Sequence, residues 1–162
     1  MEALVKLPEV QTLFKARSTV KGSVTRVTNI LKESLALETG GKYDFTSLNK
    51  KAIRENYEKL KGNLQALEKA HEAFVSKCLD ASKAAGVSEQ IVQVFEEEQE
   101  QDLDSNKNNA FDAIGLYEFE YKAALDQYLE NIQEQNKVVS LGWPEKKRAK
   151  CSNKLYCRTS KP

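Results

Sequence analysis

Two side chains with nucleophile–base chemistry lie close in the sequence, His71 and Cys78. On a helix their seven-residue spacing sets them about 10 Å apart along the axis, whereas a base must come within roughly 3 Å of the group it activates. The spacing therefore assigns both to a packing seam. His71 is also the chain's one histidine, which removes two-histidine metal sites and histidine relays from consideration.

Other candidates fail on equally specific grounds. Asp102, Asp104 and Asn106 alternate like the start of a calcium loop, but Lys107 stands where the turn glycine belongs and Ala113 where a bidentate glutamate must close the site. The segment is expected to be a solvated break between helices. Cys151 and Cys157 offer two thiolates without the further ligands that tetrahedral zinc requires. No glycine-rich phosphate loop is present, and Tyr57, Tyr117, Tyr121 and Tyr128 fall at seam positions, where rings are core material rather than a nucleotide platform. The expectation is a protein with no catalytic residues, cofactor, metal or small-molecule substrate.

The elements that carry these residues are helices. Gly and Pro number only 7 and 3 in 162 residues, and 30% of the chain is charged, a balance that disfavours an all-β fold. Val10, Leu13, Arg17, Val20, Val24, Val27 and Leu31 form a heptad-like stripe weakened by Arg17, over a helix of about 9–38 that Thr39-Gly40-Gly41 would end. The clearest seam is Ile53, Tyr57, Leu60, Leu64, Leu67, His71, Phe74 and Cys78, stepping alternately by four and three. Its helix is placed at about 47–85, capped by Thr46 or Ser47 and stopped by Gly86.

Two further helices are expected. One, about 88–103, opens after Ser88 with Ile91, Val92, Val94 and Phe95 and runs into glutamates. The other, about 107–139, follows a break at Asp104-Ser105-Asn106, with Ala110, Ile114, Tyr117, Tyr121, Ala124 and Tyr128 on its seam. Phe111, Leu125, Leu129 and Ile132 widen that apolar face. The fold read from these patterns is all-α: an elongated antiparallel bundle or coiled-coil hairpin of about four helices over 1–141, its second and fourth helices paired. A basic, disordered tail is expected over 142–162.

Charge is segregated. From Glu145 to Pro162 seven bases oppose one acid, 7 − 1 = +6, so the preceding body carries 18 − 23 = −5. Lys146, Lys147, Arg148 and Lys150 form a compact cluster of the kind read in nuclear import or attached non-specifically to phosphates. Between Glu9 and Glu33 there is no acid, and between Lys83 and Lys107 no base. These faces either meet or stay solvated. The sharper reading is a basic helix face, Lys15, Lys21 and Arg26, that grips RNA or an acidic partner.

The run Phe14-Lys15-Ala16-Arg17-Ser18-Thr19-Val20-Lys21-Gly22-Ser23-Val24-Thr25-Arg26-Val27-Thr28-Asn29-Ile30-Leu31 resembles the basic helix opening the gag-like region of BEL/Pao-type LTR retrotransposon polyproteins. The helix from Tyr57-Glu58-Lys59-Leu60 to Phe74, and the later Tyr117-Glu118-Phe119-Glu120-Tyr121, follow in the same order, so the likeness spans roughly residues 10–132. It implies a structural, self-associating role in particle assembly and packaging of element RNA. The sequence departs from gag proteins in lacking the Cys-x2-Cys-x4-His-x4-Cys knuckle, and the segment after Trp143 does not match.

The functional expectation is a non-enzymatic helical self-assembly module, homo-oligomeric, with Ile53, Tyr57, Leu60, Leu64, Leu67, His71 and Phe74 as its self-association seam. The alternative is an intracellular helical adaptor using the basic tail for nuclear import or nucleic acid. No segment has signal-peptide or membrane-span length and hydropathy, so a cytoplasmic or nuclear location is expected.

Overall fold

The computed structural model describes residues 1–36 and 43–141. Among these the regular structure is entirely helical: α1 (Glu2–Val5), α2 (Pro8–Ser34), α3 (Lys50–Ala84), α4 (Glu89–Gly115), a π-helical turn (Leu116–Tyr121) and α5 (Lys122–Leu141). The expected terminator Thr39-Gly40-Gly41 and the basic tail lie outside the described residues. One compact unit spans Met1–Ala124 and a second begins at Leu125.

Local sequence sets the helix ends. Pro8 opens α2 at a position where its missing N–H costs nothing. The cap of α3 is Asn49, whose side-chain oxygen accepts from Ala52 N–H at 3.0 Å. Thr46 and Ser47, the expected caps, instead sit in a turn ordered by Asp44, whose carboxylate accepts from Thr46 N–H at 3.0 Å. Gly86 stops α3 with φ +66°, which lets Val87 N–H reach back to Ser82 carbonyl at 3.0 Å.

Side-chain pairs fix the helix directions in the first unit. Between α2 and α3, Glu9 meets Lys77 at 2.8 Å, Phe14 packs on Phe74 with ring centroids 5.6 Å apart, and Ser23 accepts from Asn63 at 3.0 Å. Rising numbers on one helix meet falling numbers on the other, so the two are antiparallel. Between α2 and α4, Arg17 meets Asp102 and Lys32 meets Asn109. Both numbers rise, so these two run parallel. Phe74–Phe95 and Tyr57–Tyr117 show α4 and its π turn antiparallel to α3.

The result is an up-down-up bundle in which α2 is the principal partner of α3. The expected pairing of the second and fourth helices is corrected to that extent: α3 packs first on α2, and the 107–121 stretch covers only its N-terminal part. The seam is internal. Ile53, Tyr57, Leu60, Leu64, Leu67, His71, Phe74 and Cys78 are all buried, as are Val10, Arg17, Val24, Val27 and Leu31 opposite them.

The expected break at Asp104-Ser105-Asn106 is also corrected, because α4 runs through it. These residues are poor helix formers, but long-range ties hold both flanks. Asp102 is gripped from α2, Lys107 pairs with Glu68 of α3 at 2.5 Å, and Lys32 donates to Asn109 at 2.6 Å. Asn106 itself donates to Asp102 carbonyl at 2.5 Å, four residues back along the helix. The irregularity falls later, at Leu116–Tyr121, where the wider π turn sets Tyr117 and Tyr121 rings 5.4 Å apart in a stack.

Candidate functional site

Three features could do chemistry or binding: an ionic cluster around the buried Arg17, an aromatic cluster and the apolar surfaces left open. The ionic cluster absorbs the charge segregation. Arg17 occupies a seam position of α2, with its side chain 7% exposed. It donates to Gln99 Oε1 at 2.7 Å and to Asp102 Oδ2 at 2.6 Å, while its guanidinium lies over the Phe74 ring, 5.4 Å from the centroid. Lys21, one turn further on, donates to Asp102 Oδ1 at 2.5 Å.

The acid-free stretch of α2 and the base-free stretch of α4 therefore meet. Burial works to raise the Asp102 carboxyl, but Lys21 and Arg17 outweigh it and leave the group below the usual carboxylate range. His71 faces the same cluster, and its Nδ1 is buried without a hydrogen-bond partner. Burial pushes His71 down and the Arg17 cation pushes the same way, against a weaker opposing pull from Asp102 and Glu100. Cys78 is fully buried, and burial raises its thiol against the pull of Arg17. A thiol held protonated there packs the core.

The candidate basic face is divided by this arrangement. Lys21 turns to Asp102, while Lys15 and Arg26 stay exposed. Asp102, the first residue of the supposed calcium loop, is bound by cations on a continuous helix. Among the described residues no group of three or more His, Cys, Asp or Glu is placed to hold a metal ion. Lys146, Lys147, Arg148 and Lys150 lie outside the described residues.

The tyrosines gather at the other end of α3. Tyr57 stacks on Tyr117 at 4.0 Å between centroids, with Tyr117 on Tyr121 and Tyr43 edge-on to Tyr121 at 5.5 Å. The Tyr57 hydroxyl donates to the Glu118 carboxylate, and burial together with that bond raises the phenol above its ordinary value. Stacked rings closed on one another are core; they present no open platform for a base.

The open apolar surfaces are of two kinds. In the first unit α1, α2 and α4 enclose a groove of about 580 Å³. Met1, Val5, Phe14 and Phe95 supply its apolar wall, with Lys6, Lys15 and Glu98 at its rim. Phe14 is 43% exposed, one face against Phe74 and the other open. In the second unit, residues 125–141 form a helix whose Leu129, Val138 and Val139 are 45%, 70% and 63% exposed.

Sequence reasoning gave Phe14 no role, because it stands one position outside the α2 stripe. The signal available was its place immediately after Leu13, which widens that stripe at the end where α1 and α4 approach. No described helix is long and apolar enough to cross a membrane. Comparisons with protein-family models, curated proteins and solved structures find no match to this chain.

Proposed function

We propose that the protein is a non-enzymatic helical self-assembly module, in which copies join through the α5 helix rather than through the α3 seam. One observation carries the reading: Ile53, Tyr57, Leu60, Leu64, Leu67, His71 and Phe74 are all buried within one chain, while Leu129, Val138 and Val139 of α5 stay exposed and Leu125 and Ile132 are only half-buried. A seam already closed by α2 and α4 is not free to zip against a second molecule.

An isolated helix of this length is marginal in water and gains its stability by burying its apolar face. Leu125, Leu129, Ile132 and Val139 fall within one narrow arc of α5 when spaced at 100° per residue. Asp126, Glu130 and Glu134 lie on a separate flank at four-residue spacing. Such an amphipathic helix suits helix-to-protein docking. The likeness to gag-like regions supports the same role, with RNA held by the basic tail in the cytosol or nucleus.

Sedimentation equilibrium across a hundredfold concentration range tests the reading. The weight-average mass should rise above the 18.3 kDa of one chain. Leu125→Glu with Leu129→Glu should hold the protein at that mass. A wild-type chain that stays monomeric throughout would refute the proposal.

A further inference from the structure

The groove in the first unit and the face of α5 have complementary chemistry. The groove is apolar at its floor through Val5, Phe14 and Phe95, and its 580 Å³ lies within the roughly 300–1,000 Å³ typical of binding clefts. Its two sides carry opposite charge. Lys6 and Lys15 stand on the α1–α2 side, exposed and with no partner among the described residues, and Glu98 stands on the α4 side.

The α5 helix carries the matching pattern. Leu125 and Leu129 lie one turn apart, about 6 Å along the axis, with Asp126 and Glu130 forming an acidic ridge beside them. Inserting the leucines over Phe14 and Phe95 places that ridge against Lys6 and Lys15 in one axial orientation. Rotating the helix to the other side brings the ridge against Glu98. Charge thus selects one docking orientation and disfavours the other.

We infer that the groove formed by Val5, Phe14 and Phe95, flanked by Lys6 and Lys15, receives the Leu125–Leu129 face of α5 from a second copy of this chain. The inference rests on the self-assembly reading and adds its receptor. Donor and acceptor surfaces differ, so the contact is heterologous: every added copy leaves one groove and one α5 unused at the ends. Assembly is then head-to-tail, growing as a filament unless the rotation between copies closes a ring.

Complementation of two full-length variants tests this. The first, Leu125→Glu with Leu129→Glu, keeps the groove and lacks the insert. The second, Lys6→Glu with Lys15→Glu, keeps the insert and reverses the charge of the receptor. Lys6, Lys15 and Leu129 are exposed and Leu125 is half-buried, and unchanged circular dichroism and melting verify the fold of both variants; Phe14→Ala provides an independent groove variant.

Each variant alone should need at least a tenfold higher concentration than wild type to assemble. An equimolar mixture should form a one-to-one heterodimer of about twice the monomer mass that grows no further, because it joins the one intact groove to the one intact α5. If both groove variants assemble like wild type while the α5 variant is monomeric, α5 pairs with itself, and the receptor inference is overturned while self-assembly stands. Failure of the mixture to form a heterodimer also overturns the inference. A monomeric wild type overturns the self-assembly reading beneath it.

Discussion

Replacing Arg17 separates the two ways in which this residue can hold α2 to α4. Arg17→Ala removes two charge-assisted hydrogen bonds, to Gln99 and Asp102, the guanidinium over Phe74 and the packing of a buried alkyl stem. Full value for such bonds would be about 1.5–3 kcal/mol each. Two facts reduce it: the Asp102 side chain is 39% exposed, and it keeps Lys21, so no carboxylate is stranded. A net loss of about 2 kcal/mol follows, most of it from lost packing and from the cavity beside Phe74.

For a chain of this size that loss lowers Tm by roughly 4–8 °C. Arg17→Met restores stem volume without the charge and leaves a part-exposed Asp102 paired with Lys21, so its stability should fall within about 1 kcal/mol of wild type. Differential scanning calorimetry and urea titration at pH 7 measure both variants. The reasoning is refuted if Arg17→Ala melts like wild type, or if Arg17→Met loses as much as Arg17→Ala.

The folded-state pKa of His71 lies below its unfolded value, so the unfolded chain binds the extra proton first. Stability present at pH 7 should decline as pH falls from about 6.5 toward the folded value, and His71→Leu should flatten that decline in a pH series of melts. Asp102 adds a second loss at lower pH, below about 4, which Asp102→Asn should remove from the same series. Gly62 sits inside α3 with nothing within 4 Å of an added Cβ, so Gly62→Ala should stabilise by about 1 kcal/mol in urea titration. Leu60 is 0% exposed on the seam, and Leu60→Ala should cost about 2–5 kcal/mol while leaving any assembly of the surviving folded protein intact. Deleting residues 145–162 removes a net charge of 7 − 1 = +6, and RNA binding followed against salt should then lose its steep slope.

The α3 seam was legible because a long run of apolar residues at alternating four- and three-residue steps has one low-energy arrangement, face inward. The segregated charges of α2 and α4 were legible as opposite faces, and they do meet. Arg17 was misread as a defect in its stripe. A lone cation buried at a seam position, in a stretch free of acids, needs an anion from another helix, and the base-free run containing Asp102 was the signal. The break at Asp104–Asn106 failed because local propensity there is overridden by Lys107–Glu68 and Asp102–Arg17, contacts between residues far apart in sequence. The π turn was hidden for a similar reason: the stacking of Tyr57 on Tyr117 that accompanies it belongs to the tertiary packing. Which seam closes internally depends on helix length and order, so the fate of α3 and the openness of α5 could not be told apart by periodicity.

Hydrogen exchange of the full chain, compared between dilute and concentrated solution, measures that distinction directly. Amides of α3 from Ile53 to Cys78 should be equally protected at both concentrations, whereas those of residues 125–141 should exchange rapidly when dilute and slow markedly when concentrated. Protection of α3 that appears only on concentration, with 125–141 unchanged, would contradict the account.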